Sequence, residues 1–163
     1  MMFKIGPPTT TSGTVWDDHG KSEIVEIYIG SHENRFKFIQ FLYVENRNTL
    51  VPSKILGLLC EGGCTCFDTV TLDYPSEFIN GISGSYEDCC GSKYLRSICF
   101  HTNKTKYGPF VATPANKGLQ SIEFSYQVGS KVFGFFGTYH YYGVESIGIY
   151  SKSMEKLGDL VKK

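Results

Sequence analysis

Helix-forming residues are scarce in this chain. Its 163 residues hold only two alanines, and leucine is thin over most of the length, which disfavours an architecture built on helices. Long apolar runs are missing too, and no stretch would span a bilayer as a helix, so membrane insertion is not expected. Neither sign of charge dominates: 16 Lys and Arg stand against 16 Asp and Glu, for a formal net charge of +0. A neutral chain has no basic face for a phosphate backbone, which argues against nucleic acid as a partner. The N-terminal MMFKIGPPTTTSG lacks the charged-then-apolar pattern of a secretory signal, and the expected location is cytoplasmic or nucleocytoplasmic. Without secretion the Asn103-Lys104-Thr105 sequon carries no meaning. No phosphate loop, nucleophile elbow or metalloprotease motif occurs, so neither enzyme activity nor a cofactor is expected.

The chain is instead rich in aromatics, at 15%, and in glycine, with 18 residues. With a 41% hydrophobic share, that mixture suits a single folded domain of strands broken by tight turns. SIEFSYQV (121–128) alternates with Ile122, Phe124, Tyr126 and Val128 on one face, as a half-buried strand does. FKFIQFLYV (36–44), EIVEIYI (23–29), TVTLDY (69–74), YLRSICFHT (94–102), KVFGFF (131–136) and ESIGIY (145–150) also read as strands. Turn signals separate them, among them Ser31 to Asn34, Asn46 to Asn48, Glu61 to Gly63 and Ala115 to Gly118. Ten or more short strands at this spacing indicate an all-β sandwich, barrel or prism. Asn80-Gly81 is a hairpin signal by itself, yet FINGISGSY has strand character on both sides, so hairpin tip and bulge both remain open. Only SMEKLGDLVKK (153–163) has helical spacing, short enough to be a frayed tail or a docked helix.

Six cysteines, at 60, 64, 66, 89, 90 and 99, match no common structural zinc spacing, and no metal is expected. Free thiols are the default in a reducing compartment, with Cys99 as a small buried hydrophobe. A disulfide from the 60–66 loop to Cys89 or Cys90 requires an oxidising one. The lone Trp16 reads as core. Asp17 and Asp18 are neighbours in a strand and point to opposite faces, so they make no acid pair. His101 and His140 are too isolated for a triad. Tyr107-Gly108-Pro109-Phe110 reads as a turn.

TLDYPSEFINGISGSY (71–86), followed by LRSICFHTNKTKYGPF (95–110), resembles the jacalin-related plant lectins, of the mannose type. The opening KIGPP, Trp16-Asp17-Asp18, the GFFG at 134–137 and the terminal IGIY match in the same order, over residues 3 to 151. The resemblance implies a jacalin-like domain over 2–151, with 152–163 as a C-terminal tail. It implies a β-prism I fold of three four-stranded antiparallel sheets with pseudo-threefold symmetry, Gly81 as a bulge, and Phe38, Val70, Ile98, Phe124 and Phe135 in the core. Such proteins bind mannose/glucose or galactose without metal or catalysis, often as homo-oligomers joined through edge strands. Some plant members act in defence, including against viruses.

In that family the sugar is held by a G-x-x-x-D loop before the last strand and by a glycine of the first loop. The resemblance carries the carboxylate to Glu145, the glycine position to Tyr141, the backbone donors to Tyr142 and Gly143, and the first-loop contact to Gly13. Two departures stand out, Tyr for Gly and Glu for Asp. Tyrosine resists a positive φ that glycine accepts, and the extra methylene of glutamate displaces the carboxylate and adds a rotor to freeze. Tyr139, His140, Tyr141 and Tyr142 would form an aromatic surface suited to sugar or protein. Two functions follow: a glycan-binding lectin of the mannose/glucose type, or a jacalin-like module that contacts a protein partner with sugar binding lost or altered.

Overall fold

The structure is a computed structural model that describes residues 2–7, 13–21, 23–59, 62–89, 92–112 and 120–152. The tail 153–163 and the turn signal at 115–118 lie outside the described residues. The described chain is all β. Its strands are β1 (Met2–Ile5), β2 (Thr14–His19), β3 (Ile24–His32), β4 (Arg35–Glu45), β5 (Thr49–Pro52), β6 (Leu56–Gly57) and β7 (Cys66–Thr71). There follow β8 (Ile79–Cys89), β9 (Ser92–Thr102), β10 (Lys106–Val111), β11 (Gln120–Gln127), β12 (Gly134–His140) and β13 (Gly143–Lys152). They form three antiparallel sheets, β1-β13-β12-β2, β10-β9-β8-β11 and β5-β4-β3-β7, with the two-residue β6 as an extra partner of β4.

Each sheet turns one face of β-branched and aromatic residues to a common core. β3 contributes Ile24, Ile27 and Ile29, and β4 contributes Phe36, Ile39, Phe41 and Tyr43. One ring from each sheet meets at the centre: Phe41 stacks on Phe135 at 4.2 Å, and Phe100 stands edge-on to both at 6.4 Å. Trp16 joins this cluster 6.0 Å from Phe41. A polar tie accompanies the rings. The buried Tyr86 hydroxyl donates to the Ile147 carbonyl at 3.0 Å and accepts from the Ile147 N–H at 3.2 Å, linking β8 to β13.

Several expectations are refined. Val70, Ile98, Phe124 and Phe135 lie in the core, but Phe38 does not. It is buried on the outer face, where its ring covers Gly30 so closely that a Cβ there would meet it at 2.2 Å, with Phe67 6.3 Å away. Gly81 follows a register shift inside β8, so this stretch is a bulged strand and not a hairpin. Tyr107 to Phe110 belongs to β10, with a register shift between these two residues, and is not a turn. β7 ends at Thr71; the Leu72 N–H still donates to the Val25 carbonyl at 2.9 Å, and from Asp73 the chain is tied into the next turn, where Tyr74-Pro75 is cis. Cys66 and Cys99 are free thiols, whereas Cys64 is disulfide-bonded, so the default of free thiols fails for Cys64.

That turn is built around Glu77. Its carboxylate accepts from the Asp73 N–H at 2.9 Å, the Thr102 hydroxyl at 2.7 Å and the Tyr107 hydroxyl at 2.9 Å. Burial pushes its pKa up, but these donors and the Lys104 charge outweigh that and hold it below the ordinary 4.5. A depressed carboxylate contributes stability that is full above its unfolded value and is lost as pH falls through the folded one.

The hairpin joining β12 to β13 is seated on β4. Gly143 has φ +135°, and a Cβ there would lie 2.0 Å from the Phe36 carbonyl oxygen. The register of β4 shifts between Phe36 and Phe38, which makes Lys37 a bulge residue. Its ammonium donates to the Tyr142 carbonyl at 3.2 Å and lies 3.5 Å from that of Tyr141.

Two outcomes are expected. Gly143→Ala adds a steric clash to a left-handed backbone and lowers stability by about 2–4 kcal/mol. Gly20→Ala, at φ +80° with no atom within 4 Å, carries only the backbone cost of about 1 kcal/mol. Equal losses in urea unfolding would show that the close approach is not a constraint. Glu77→Gln lowers stability at neutral pH and flattens its decline below pH 4.5, read from unfolding curves at stepped pH. An unchanged acid limb would remove Glu77 from the account.

Candidate functional site

The site lies where Gly13, β12 and β13 come together. β12 and β13 pair Thr138 with Ser146 and then Tyr139 with Val144, so Glu145 is the extra residue of a β-bulge. Bulges re-aim side chains. This one sits in a strand whose residues Gly143 to Tyr150 are all buried, and Glu145 itself is 3% exposed.

A carboxylate that deep must be matched by donors. Oε1 accepts from the Gly13 N–H at 3.1 Å, across 132 positions of sequence, and from the Thr138 hydroxyl at 2.8 Å. The same Thr138 hydroxyl lies 2.6 Å from Ser146 Oγ. Oε2 lies 2.7 Å from His140 Nε2. Gly13 is confined as well, since a Cβ there would stand 2.7 Å from the Tyr139 carbonyl oxygen and 2.8 Å from Glu145 Oε1.

The aromatic residues divide into two kinds. Tyr142 is half-buried; its hydroxyl donates to the Lys93 carbonyl at 3.1 Å, its ring lies 5.9 Å from Tyr94, and the Arg35 guanidinium caps Tyr94 at 3.9 Å. Burial first, and the Glu145 charge second, push the Tyr142 phenol up to about 12, so it remains a neutral donor. Tyr141 points outward and is 85% exposed. The two form the turn by themselves, because β12 extends through His140 and β13 begins at Gly143. The loop read from the sequence is therefore a two-residue turn.

Five residues were singled out from the sequence. Gly13 and Glu145 are in direct contact, and Gly143 seats the hairpin on β4. Tyr142 packs beside the cluster, and Tyr141 stands apart from it in solvent. Tyr141 is not among the positive-φ residues, so the strain expected of a tyrosine there does not arise; Gly143 takes that conformation instead. Thr138 was missed and His140 was assigned only to an aromatic surface. Strand alternation puts both on one face of β12, which was the available signal. The cluster offers a fixed acceptor and a backbone donor, with the Tyr142 ring packed beside it, a set suited to binding hydroxyl-rich ligands.

The jacalin-like lectin domain family matches residues 5–150. Jacalin-related lectin 2 of Arabidopsis thaliana is 33% identical over 162 residues, covering 91% of this chain and 85% of that protein. Protein RESTRICTED TEV MOVEMENT 1 of the same plant is 31% identical, covering 91% of this chain and 86% of that one. Among solved structures, the Calsepa lectin in complex with a biantennary N-glycan superposes with a TM-score of 0.74 at 25% identity, over 94% of this chain and 98% of that one. The bulged hairpin, the three sheets around one core and these likenesses agree: the chain belongs to the jacalin-like lectin domain family of non-enzymatic, carbohydrate-binding β-prisms.

Proposed function

We propose that the protein binds glycans of the mannose/glucose type at the end of the prism centred on Glu145. The observation that carries this reading is the 3.1 Å contact between the Gly13 N–H and the Glu145 carboxylate. It brings the two elements that hold sugar in this family, one donor and one acceptor, to a single point. Their partners are now each other, so a sugar hydroxyl has to replace His140 or Gly13 at the carboxylate. That exchange returns little net energy, since a protein donor is lost for each ligand donor gained. Single-site affinity is therefore low. Useful retention comes from dense glycans or from homo-oligomers joined through open strand edges such as β2 and β7.

A second reading is favoured by the same carboxylate. At 3% exposure it is satisfied from within, while Tyr141 beside it is 85% exposed. A surface of that kind suits a protein partner. The likeness to Protein RESTRICTED TEV MOVEMENT 1 points such a module towards virus restriction or other plant defence, inside the cell.

A multivalent glycan array separates the two. Wild-type protein is expected to retain mannose- or glucose-terminated glycans weakly, and Glu145→Ala to lose that retention, about tenfold in affinity, since only the small surplus over the displaced internal donors is at stake. Glu145→Asp withdraws the carboxylate from His140 and Gly13 and is expected to strengthen binding. A folded wild type that retains no glycan, or a Glu145→Ala variant that binds unchanged, would leave the protein-contact reading in its place.

A further inference from the structure

A groove of about 670 Å³ lies between β4, β6 and the β12–β13 turn, and Glu145 is not in its lining. One wall is aliphatic, formed by Ile55, Leu58 and Leu59, and the other is the ring of Tyr141. Leu59 is 66% exposed and Tyr141 is 85% exposed, so two large apolar side chains flank one opening. Gly57 forms part of the lining; it has φ +124°, and a Cβ there would lie 2.0 Å from the Lys37 carbonyl oxygen. The adjoining Leu58 N–H donates to that same carbonyl at 2.8 Å. The groove is thus held by the backbone of the Lys37 bulge, a preformed shape within the size range of small-molecule sites.

The polar contribution comes from two side chains, of which the Lys37 ammonium carries a charge. Lys37 and His32 line the groove. Lys37 gives hydrogen bonds to hairpin carbonyls, which are neutral, and among the described residues it makes no ion pair. An ammonium has three donors, and two directed at Tyr141 and Tyr142 leave one. Among the described residues the carboxylate beside His32 is Glu33, 3.6 Å from His32 Nε2 and largely in solvent, on the turn and not in the lining. Among the described residues the positioned Lys37 cation has no countercharge, and between an aliphatic wall and an aromatic ring it calls for a ligand that is apolar and singly anionic. A neutral hexose would leave the cation unused, and its hydroxyls would find no acceptor in the leucine wall.

From this we propose that the groove is a second binding site, separate from the sugar site, for a small aromatic or alicyclic carboxylate. The ring packs between Leu58, Leu59 and Tyr141, and the carboxylate accepts from Lys37. The charge-assisted bond fixes orientation while the apolar walls supply the area. This site does not depend on Glu145 and stands or falls apart from the glycan reading.

The probes are 1-naphthoate and its uncharged methyl ester, titrated into the isotope-labelled full-length protein and followed by amide chemical shifts. Naphthoate is expected to give saturable shifts at Lys37, Gly57, Leu58 and Tyr141, with the ester about tenfold or more weaker, the scale of one charge-assisted bond. Lys37→Met is expected to bind acid and ester alike. Leu59→Ser, at an exposed position where folding is not at stake, is expected to weaken both. The proposal is overturned by non-saturating shifts, by equal binding of acid and ester to the wild type, or by competition from free mannose. It is also overturned if Leu59→Ser binds both probes as the wild type does, a test that survives any disturbance of the hairpin by Lys37→Met.

Discussion

Everything at the loop end of this molecule depends on three aromatic rings at its centre. Phe41, Phe100 and Phe135 come one from each sheet and touch one another. Stacked and edge-on rings are directional as well as apolar, so their contact sets the distance and the inclination of the sheets. Tyr86 adds a hydrogen-bonded tie of β8 to the Ile147 backbone. Once the sheets are held this way, the β12–β13 turn is brought against the start of β4. Contacts between residues more than a hundred positions apart then become inevitable.

Two bulges turn that closeness into chemistry. A regular strand would alternate its side chains between core and solvent. The extra residue in β13 is Glu145 and the extra residue in β4 is Lys37, so the two charges escape the alternation, and each meets the hairpin through its own partners. Glu145 is buried and matched by Gly13, Thr138 and His140. Lys37 is half-buried and, among the described residues, is matched only by carbonyls. One charge is thus matched by donors within the fold, and the other meets neutral carbonyls. The glycine at 143 allows both, because any side chain there would strike the β4 backbone.

Replacement of aspartate by glutamate at the family's carboxylate position has a geometric meaning in this setting. The longer side chain reaches donors within the protein itself, including the first-loop N–H that the resemblance assigns to a sugar contact. The same residue types that build a family binding site therefore build a self-contained knot. On the proposed reading, glycan affinity is a competition between sugar hydroxyls and the chain's own donors, and not a matter of whether a carboxylate is present.

Much of the fold was legible in the residues. Clean alternation in SIEFSYQV, β-branched and aromatic runs and scarce alanine pointed to strands, since those signals arise from neighbours within one segment. The motifs around LDYP and IGIY pointed to the family and, through it, to Glu145 and Gly13. Other features were not legible because they are set by pairing between strands. Phe38 faces outward while Phe36, across the shift at Lys37, faces the core; Asn80 before Gly81 is the extra residue of a bulge and not a turn; the aromatic loop is only two residues long because β12 and β13 pair beyond it. The sequence by itself determined an all-β chain with a carboxylate and several tyrosines near its last turn. The tertiary structure alone decided which donors that carboxylate meets and that Lys37 opens onto a groove. Register and inter-sheet contact arise between distant segments, and no local pattern carries them.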